Sequence, residues 1–239
     1  MQISVVIPAF NEEGNIGRLV RETFDAVSEA QLGEVVVVDD CSTDATVSEL
    51  SELKQTLPKL RIVRHLTNAG QSASLRSGIL AARFSVIAQM DGDGQNDPRD
   101  IPGLLAKLAE PGDLSGPALV GGVRTKRRDT GSKRWASKFA NGLRKRILQD
   151  DCPDTGCGIK VYWREAFLRL PFFTSIHRYL PALFQTYGYK TAYAPVNDRP
   201  RMMGVSKYNN FNRALIGIYD LVGVTWLRRR TKAPETTEV

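Results

Sequence analysis

The chain has 239 residues, 42% of them hydrophobic and 25% charged, with a formal net charge of +7. That composition can bury one sizeable α/β core and is too apolar for a disordered chain. Three cysteines, Cys41, Cys152 and Cys157, without zinc-site spacing argue against a disulfide scaffold or zinc module, and fit reduced packing thiols in a cytoplasmic protein.

In chain order, residues 3–7 form a β-rich run ending at Pro8, with no charged n-region or long apolar segment of a secretory signal. Ala9-Phe10-Asn11-Glu12-Glu13 then opens a helical stretch to about residue 30. Residues 34–38 form a second apolar run ending in Asp39-Asp40-Cys41-Ser42, and a helix is expected over about 44–57 with Ser42 or Thr43 as N-cap. A short strand (61–64), a helix (71–83) and a buried strand (85–90) follow. Strands alternating with helices of this length predict right-handed crossovers, a mostly parallel sheet and helices on both faces. Ligands then bind beyond the carboxyl ends of the strands, where Asn11, Glu12, Asp39, Asp40, Asp91 and Asp93 all fall.

Met90-Asp91-Gly92-Asp93-Gly94-Gln95 is the most telling segment. Two carboxylates one residue apart at a strand end suit a hard divalent cation, and such a cation suits a diphosphate. A loop of turn formers is the plain alternative. An EF-hand fits poorly, because Asn96 and Pro102 stand where its glycine and closing glutamate belong. Neither G-x-G-x-x-G after the first strand nor G-x-x-x-x-G-K-[ST] occurs. Acids replace the glycine cradle, so phosphates would be held mainly through a metal.

Pro8-Ala9-Phe10-Asn11-Glu12, Val38-Asp39-Asp40-Cys41-Ser42, Asp91-Gly92-Asp93-Gly94-Gln95 and Asp154-Thr155-Gly156-Cys157-Gly158 fall in an order that resembles family 2 glycosyltransferases. Arg201-Met202-Met203-Gly204-Val205-Ser206-Lys207-Tyr208 is similar to the late R-x-x-G-x-S-K-Y element of the polyprenyl-phosphate subgroup, which includes dolichyl-phosphate mannose synthases. The resemblance covers roughly residues 2–227 and implies a GT-A-type, Rossmann-like α/β fold. It divides residues 1–230 into a nucleotide-binding half (about 1–123), an acceptor-side half (about 124–208) and a C-terminal amphipathic helix (about 209–230), with a polar tail at 231–239. Gly92 and Gly94 depart from the bulkier residues of the family turn and are expected to loosen the metal loop.

The resemblance implies a nucleotide-diphosphate sugar donor, GDP- or UDP-linked. Pro8, Asn11, Glu12, Asp39, Asp40 and Asp91 would form the nucleotide pocket, and Asp91, Asp93 and Gln95 would hold Mg²⁺ or Mn²⁺. A polyprenyl phosphate acceptor is largely ionised at neutral pH and needs cations rather than a general base. Arg124, Arg201 and Lys207 would act with Asp93 at the reacting centre, with Arg128, Lys133, Arg134, Ser206, His177 and Arg178 facing the acceptor. The Asp154-Thr155-Gly156 loop would close under the sugar. A hydroxyl acceptor would instead need a base, best sought at Asp154 or Asp151.

Charge is segregated. Residues 124–146 carry ten Lys/Arg against one Asp, and residues 199–232 carry eight against one, leaving the remainder acidic. Such patches attract an anionic membrane surface or nucleic acid. A nucleic-acid module lacks a stacking aromatic array and leaves the acids unexplained, so no nucleic-acid partner is expected. The apolar stretch 214–227, interrupted by Asp220, is too short to span a bilayer, which needs about 20 residues. With Ile216, Tyr219, Val222 and Trp226 near one side and arginines at both ends, it suits the membrane interface as well as a core helix. The expected location is peripheral, on the inner face of the membrane, with a membrane partner protein as the alternative anchor.

Overall fold

The computed structural model describes residues 1–125, 142, 144, 146–200 and 210–232, and the side chains of the last stretch from Gly217 onward. The predicted acceptor-side residues Arg128, Lys133, Arg134, Arg201, Ser206 and Lys207 lie outside the described residues.

Seven strands form one sheet in the order β3-β2-β1-β4-β6-β5-β7. They are β1 (Ile3–Ala9), β2 (Leu32–Asp39), β3 (Leu60–Arg64), β4 (Val86–Gln89), β5 (Pro117–Arg124), β6 (Lys160–Trp163) and β7 (Lys190–Val196). β1 pairs parallel with β2 and β4, β2 with β3, and β5 with β7, while β6 runs antiparallel between β4 and β5. Every residue of β1 and β4 is buried, as is the Val35–Val38 run of β2, which is why these strands read as continuous apolar runs rather than alternating ones.

The first three helices are the predicted crossovers: α1 (Ile16–Ala26), α2 (Thr46–Thr56) and α3 (Gln71–Ala81). α2 begins later than expected. Ala45 holds its N-cap position, and Thr46 N donates to Asp44 Oδ1 at 3.0 Å. Ser42 and Thr43 serve another purpose. Ser42 Oγ accepts from Asn11 N at 2.9 Å, Thr43 N donates to Asn11 Oδ1 at 2.8 Å, and Thr46 Oγ1 accepts from Glu12 N at 2.9 Å. These bonds stitch the loop after β1 to the loop after β2. The shorter helices α4 (Ile101–Leu105), α5 (Arg164–Leu168) and α6 (Leu180–Thr186) carry the chain through the later strands to α7 (Asn210–Arg230).

At the amino end of the sheet, the buried Glu34 carboxylate accepts from Ser4 Oγ, Arg61 Nη1 and Arg83 N at 2.6–2.7 Å. Burial alone would raise its pKa, and these partners outweigh it and hold the group below its ordinary value. On the sheet face, Gly78 lets α3 approach β1 and β2: a Cβ there would lie 2.4 Å from Val6 Cγ1 and 3.0 Å from Val38 Cγ2. Both valines are fully buried. Gly78→Ala is therefore expected to destabilise by about 1–3 kcal/mol through overpacking. Thermal unfolding should show a Tm lower by roughly 2–10 °C.

Candidate active site

β1 lies between β2 and β4, so the chain turns to one side of β1 and then to the other, and the crevice of this switch point opens at the carboxyl ends of these strands. Asn11, Asp39, Asp40 and Asp91 stand there. Asn11 and Cys41 adopt left-handed backbone conformations, φ +51° and +64°, where the chain leaves β1 and β2.

The two acids after β2 are held by partners within the protein. Asp39 is fully buried, accepts from Ser42 N at 3.2 Å and pairs with Arg64 Nε at 3.2 Å. Asp40 Oδ1 meets His65 Nδ1 at 2.7 Å and accepts from Ala69 N at 2.9 Å, while its Oδ2 accepts from Gly70 N at 2.7 Å. Burial opposes ionisation of Asp40, but these partners prevail and keep its pKa below the ordinary value. Both carboxylates thus fix the loops that follow β2 and β3 through intramolecular bonds. The side chains of Asn11 and Glu12 likewise bond within the protein, to Thr43 N and Asn15 Nδ2.

The acids after β4 are different. Asp91 N–H donates to Asn96 Oδ1 at 3.0 Å, and Asp91 Oδ1 accepts from Gln71 Nε2 at 2.7 Å. Asp93 Oδ1 accepts from Gln95 N at 3.1 Å. Burial, and next the charge of Asp93, push the Asp91 carboxyl up to about 6 against the opposing pull of Lys160, Arg124 and Gln71. Gly92 does not supply slack: it is buried, and a Cβ would lie 2.7 Å from Pro8 O. Gly94, at φ +74° with open space around it, supplies the turn.

Arg124, at the end of β5, grips Asp154 with Nε at 2.8 Å and Nη2 at 2.9 Å, and its Nη1 lies 4.0 Å from Asp198. That bidentate pair raises the Arg124 pKa, and the cation is largely compensated where it stands. The buried Lys160 donates to Cys157 O. His177, expected to face the acceptor, lies in the 3-10 turn Ile176–Arg178 after the left-handed Ser175, and its Nδ1 bonds Ser72 Oγ at 2.8 Å. Arg144 Nη2 lies 3.5 Å from the carbonyl of Arg178.

The residues missed by sequence reasoning are Gln71, Asn96, Gly158, Lys160 and Asp198. Gly158 has the clearest reason: a Cβ there would come within 2.2 Å of Asp91 Oδ2 and 2.7 Å of Asn96 Oδ1. Its place in the Asp154–Gly158 segment was the one available signal.

Among the described residues, no group of three or more His, Cys, Asp or Glu could hold a metal ion unaided. Two carboxylates nonetheless fit Mg²⁺ or Mn²⁺ held jointly with a diphosphate, since such cations take one or two protein acids and complete their shell with phosphate and water. The mutual repulsion of Asp91 and Asp93 is what a cation would relieve.

The family model for Glycosyl transferase family 2 matches residues 4–170. The chain belongs to that family. It is 35% identical over 238 residues to the dodecaprenyl-phosphate galacturonate synthase of Rhizobium johnstonii, covering 98% of this chain and 69% of the relative. It is 34% identical over 226 residues to an undecaprenyl-phosphate 4-deoxy-4-formamido-L-arabinose transferase of an Enterobacter species, covering 92% and 66%. The chain thus spans about two thirds of the length of these relatives. Among solved structures, the glucosyl-3-phosphoglycerate synthase of Mycobacterium tuberculosis, in complex with Mg²⁺ and UDP, matches with a TM-score of 0.70 at 19% identity, over 98% of this chain and 81% of that one. A Pyrobaculum calidifontis mannosyltransferase, in complex with GDP-Man and Mn²⁺, matches at 0.69 with 22% identity, over 98% and 66%. The fold of this family 2 glycosyltransferase is accordingly GT-A, as the sequence motifs implied.

The raised pKa of Asp91 has a consequence for stability. Its folded value of about 6 lies above the ordinary 3.8, so stability falls as the pH rises from about 4 through 6 and the half-buried carboxyl ionises. Asp91→Asn is expected to stabilise the unliganded protein at pH 7 by about 1–3 kcal/mol and to leave it unchanged at pH 4. Chemical denaturation of both proteins at the two pH values measures this.

Proposed function

We propose that this family 2 glycosyltransferase moves a sugar from a nucleotide-diphosphate sugar to a polyprenyl phosphate, with inversion, at the cytoplasmic face of a membrane. The observation that carries this reading is the Asp91/Asp93 pair at the carboxyl end of β4. It stands beside the switch point of a chain 35% identical to a polyprenyl-phosphate sugar synthase.

In this reading, Asp91 and Asp93, with Gln95 beside them, hold Mg²⁺ or Mn²⁺ against the diphosphate. The cation's contribution is to stabilise the departing nucleoside diphosphate. Pro8, Asn11, Glu12, Asp39 and Asp40 form the wall that receives the nucleotide, mainly through backbone they hold in place. The acceptor phosphate is already an anion and attacks the sugar directly, a single displacement that inverts the anomeric centre. Arg201 and Lys207, with Arg128, Lys133, Arg134, Ser206, His177 and Arg178, lower the repulsion between the two anions. Arg124 contributes by fixing Asp154 and by its positive field at Asp91. The hydroxyl-acceptor alternative is weakened by the same pair, because an aspartate bound bidentately to arginine is a poor general base.

Helix α7 supports peripheral membrane docking. No helix among the described residues is long and apolar enough to cross a membrane. Val224 is buried, Leu221 and Leu227 pack partly buried against the core, and Asp220 Oδ2 is shielded from solvent. The opposite side exposes Ile218, Tyr219, Val222 and Trp226, a stripe at helical spacing that leads to Arg229 and Arg230.

Two experiments test this reading. Asp93→Asn is expected to lower transfer to undecaprenyl phosphate about 100-fold or more, a loss of several kcal/mol, and EDTA to abolish it in the parent. A panel of UDP- and GDP-sugars, with and without the lipid, measures both effects, and full turnover without metal would refute the proposed role. In vesicle flotation, the protein is expected to bind anionic liposomes at low salt and to be released at high salt, where screening shortens the range of charge attraction. Replacing Tyr219, Val222 and Trp226 together by Ser should abolish the residual binding at intermediate salt.

A further inference from the structure

The first residues of α3 reach into three separate loops. Gly70, at φ +86°, donates its N–H to Asp40 Oδ2; Gln71 Nε2 donates to Asp91 Oδ1 at 2.7 Å; and Ser72 Oγ bonds His177 Nδ1. One turn later the Arg76 guanidinium lies over the Phe172 ring, 5.0 Å from its centroid. Gly78 then seats the helix directly on Val6 and Val38. A helix pinned at so many points cannot slide, so the Gln71 amide is delivered to Asp91 from a fixed base.

The Asp91 carboxylate is confined from the other sides as well. Oδ2 faces Gly158, whose missing Cβ leaves just enough room, and the Asp91 N–H is tied to Asn96. A neutral amide is the suitable donor for such a group. It orients the carboxylate through one of its four lone-pair positions and leaves the negative charge in place, whereas Arg or Lys would compensate it. Carboxylates that ligate metals are generally oriented by such outer partners.

We infer that Gln71 is a positioning residue for Asp91, orienting the first acid of the pair toward the cation and diphosphate of the donor. The inference rests on the reading of Asp91 and Asp93 as metal acids. Gln71→Met keeps the length of the side chain and the helix propensity while removing the donor. The probe is Mn²⁺ in the presence of UDP or of GDP, with free Mn²⁺ followed by electron paramagnetic resonance and Tm measured in parallel. In Gln71→Met the Mn²⁺ Kd is expected to rise about 10-fold with the Tm little changed. Ser72→Ala frees the same helix end from His177 without touching Asp91 and is expected to keep the Mn²⁺ Kd within about twofold of the parent.

Should Gln71→Met fail to fold, Gln71→Asn, whose amide falls one methylene short of Asp91, is measured by the same criteria. An unchanged Kd in the Gln71 variant together with lost binding in Asp91→Asn overturns the inference and leaves the metal reading standing. Unchanged binding in Asp91→Asn overturns the metal reading and the inference with it. An equal rise in Ser72→Ala would trace the effect to general loosening of the helix and also overturns the role of the amide.

Discussion

The carboxyl edge of this sheet depends on how buried carboxylates are compensated. A parallel sheet delivers acids to one edge, and each acid taken out of water needs donors or a counter-charge there. The fold supplies them locally for most. Asp40 has three hydrogen-bond partners, Asp39 has Arg64, Asp97 has Arg99 and Arg199, and Asp154 has a bidentate Arg124. Asp91 is treated otherwise: it receives a neutral amide, sits beside a second aspartate, and is pushed up to about 6 despite two nearby cations. The acids that build the site are neutralised within it, and the remaining tension is concentrated where a cation and a diphosphate would relieve it.

The compensating pairs also determine which segments are rigid. Asn197 bonds Asp100, Asn96 bridges to Asp198, Arg199 N donates to Gln95 O, and the Arg199 guanidinium spans Glu22 and Asp97. The chain that leaves β7 is thereby fastened, as far as Arg199, across the loop that carries Gln95 and Asp97.

Much of this was legible in the sequence, for identifiable reasons. β1, β2, β4 and the first three helices announce themselves because largely buried parallel strands are short, continuous apolar runs and their crossovers begin with polar turns. The acids after them follow from the rule that ligands sit past strand ends. The later strands β5, β6 and β7 were less visible, since β6 is a four-residue antiparallel insertion and no periodic pattern marks it. Side-chain roles were hardest to read. The intramolecular partners of Asp39 and Asp40 were not legible, because sequence reports position and chemical type, not which donors the fold brings close. Gln71 carries no local signal at all; it matters only because the start of α3 arrives beside Asp91.

The same distinction applies to the basic segments. A count of Lys and Arg measures formal charge, and a surface field requires that the charge reach solvent uncompensated. Arg124 and Arg144 in the first segment are bound to Asp154 and Asp150, and Arg199 in the second to Glu22 and Asp97. Arg228 turns inward to Thr186, where burial lowers its pKa. Four of the cations that made these segments conspicuous are therefore paired or hydrogen-bonded within the fold, at the end of β5, beside Asp150, just after β7 and on α7. From Gly217 onward, α7 offers outward an apolar stripe ending in Arg229 and Arg230. An interface helix needs that order, because apolar side chains can enter the acyl boundary only if the charges beside them stay at headgroup level.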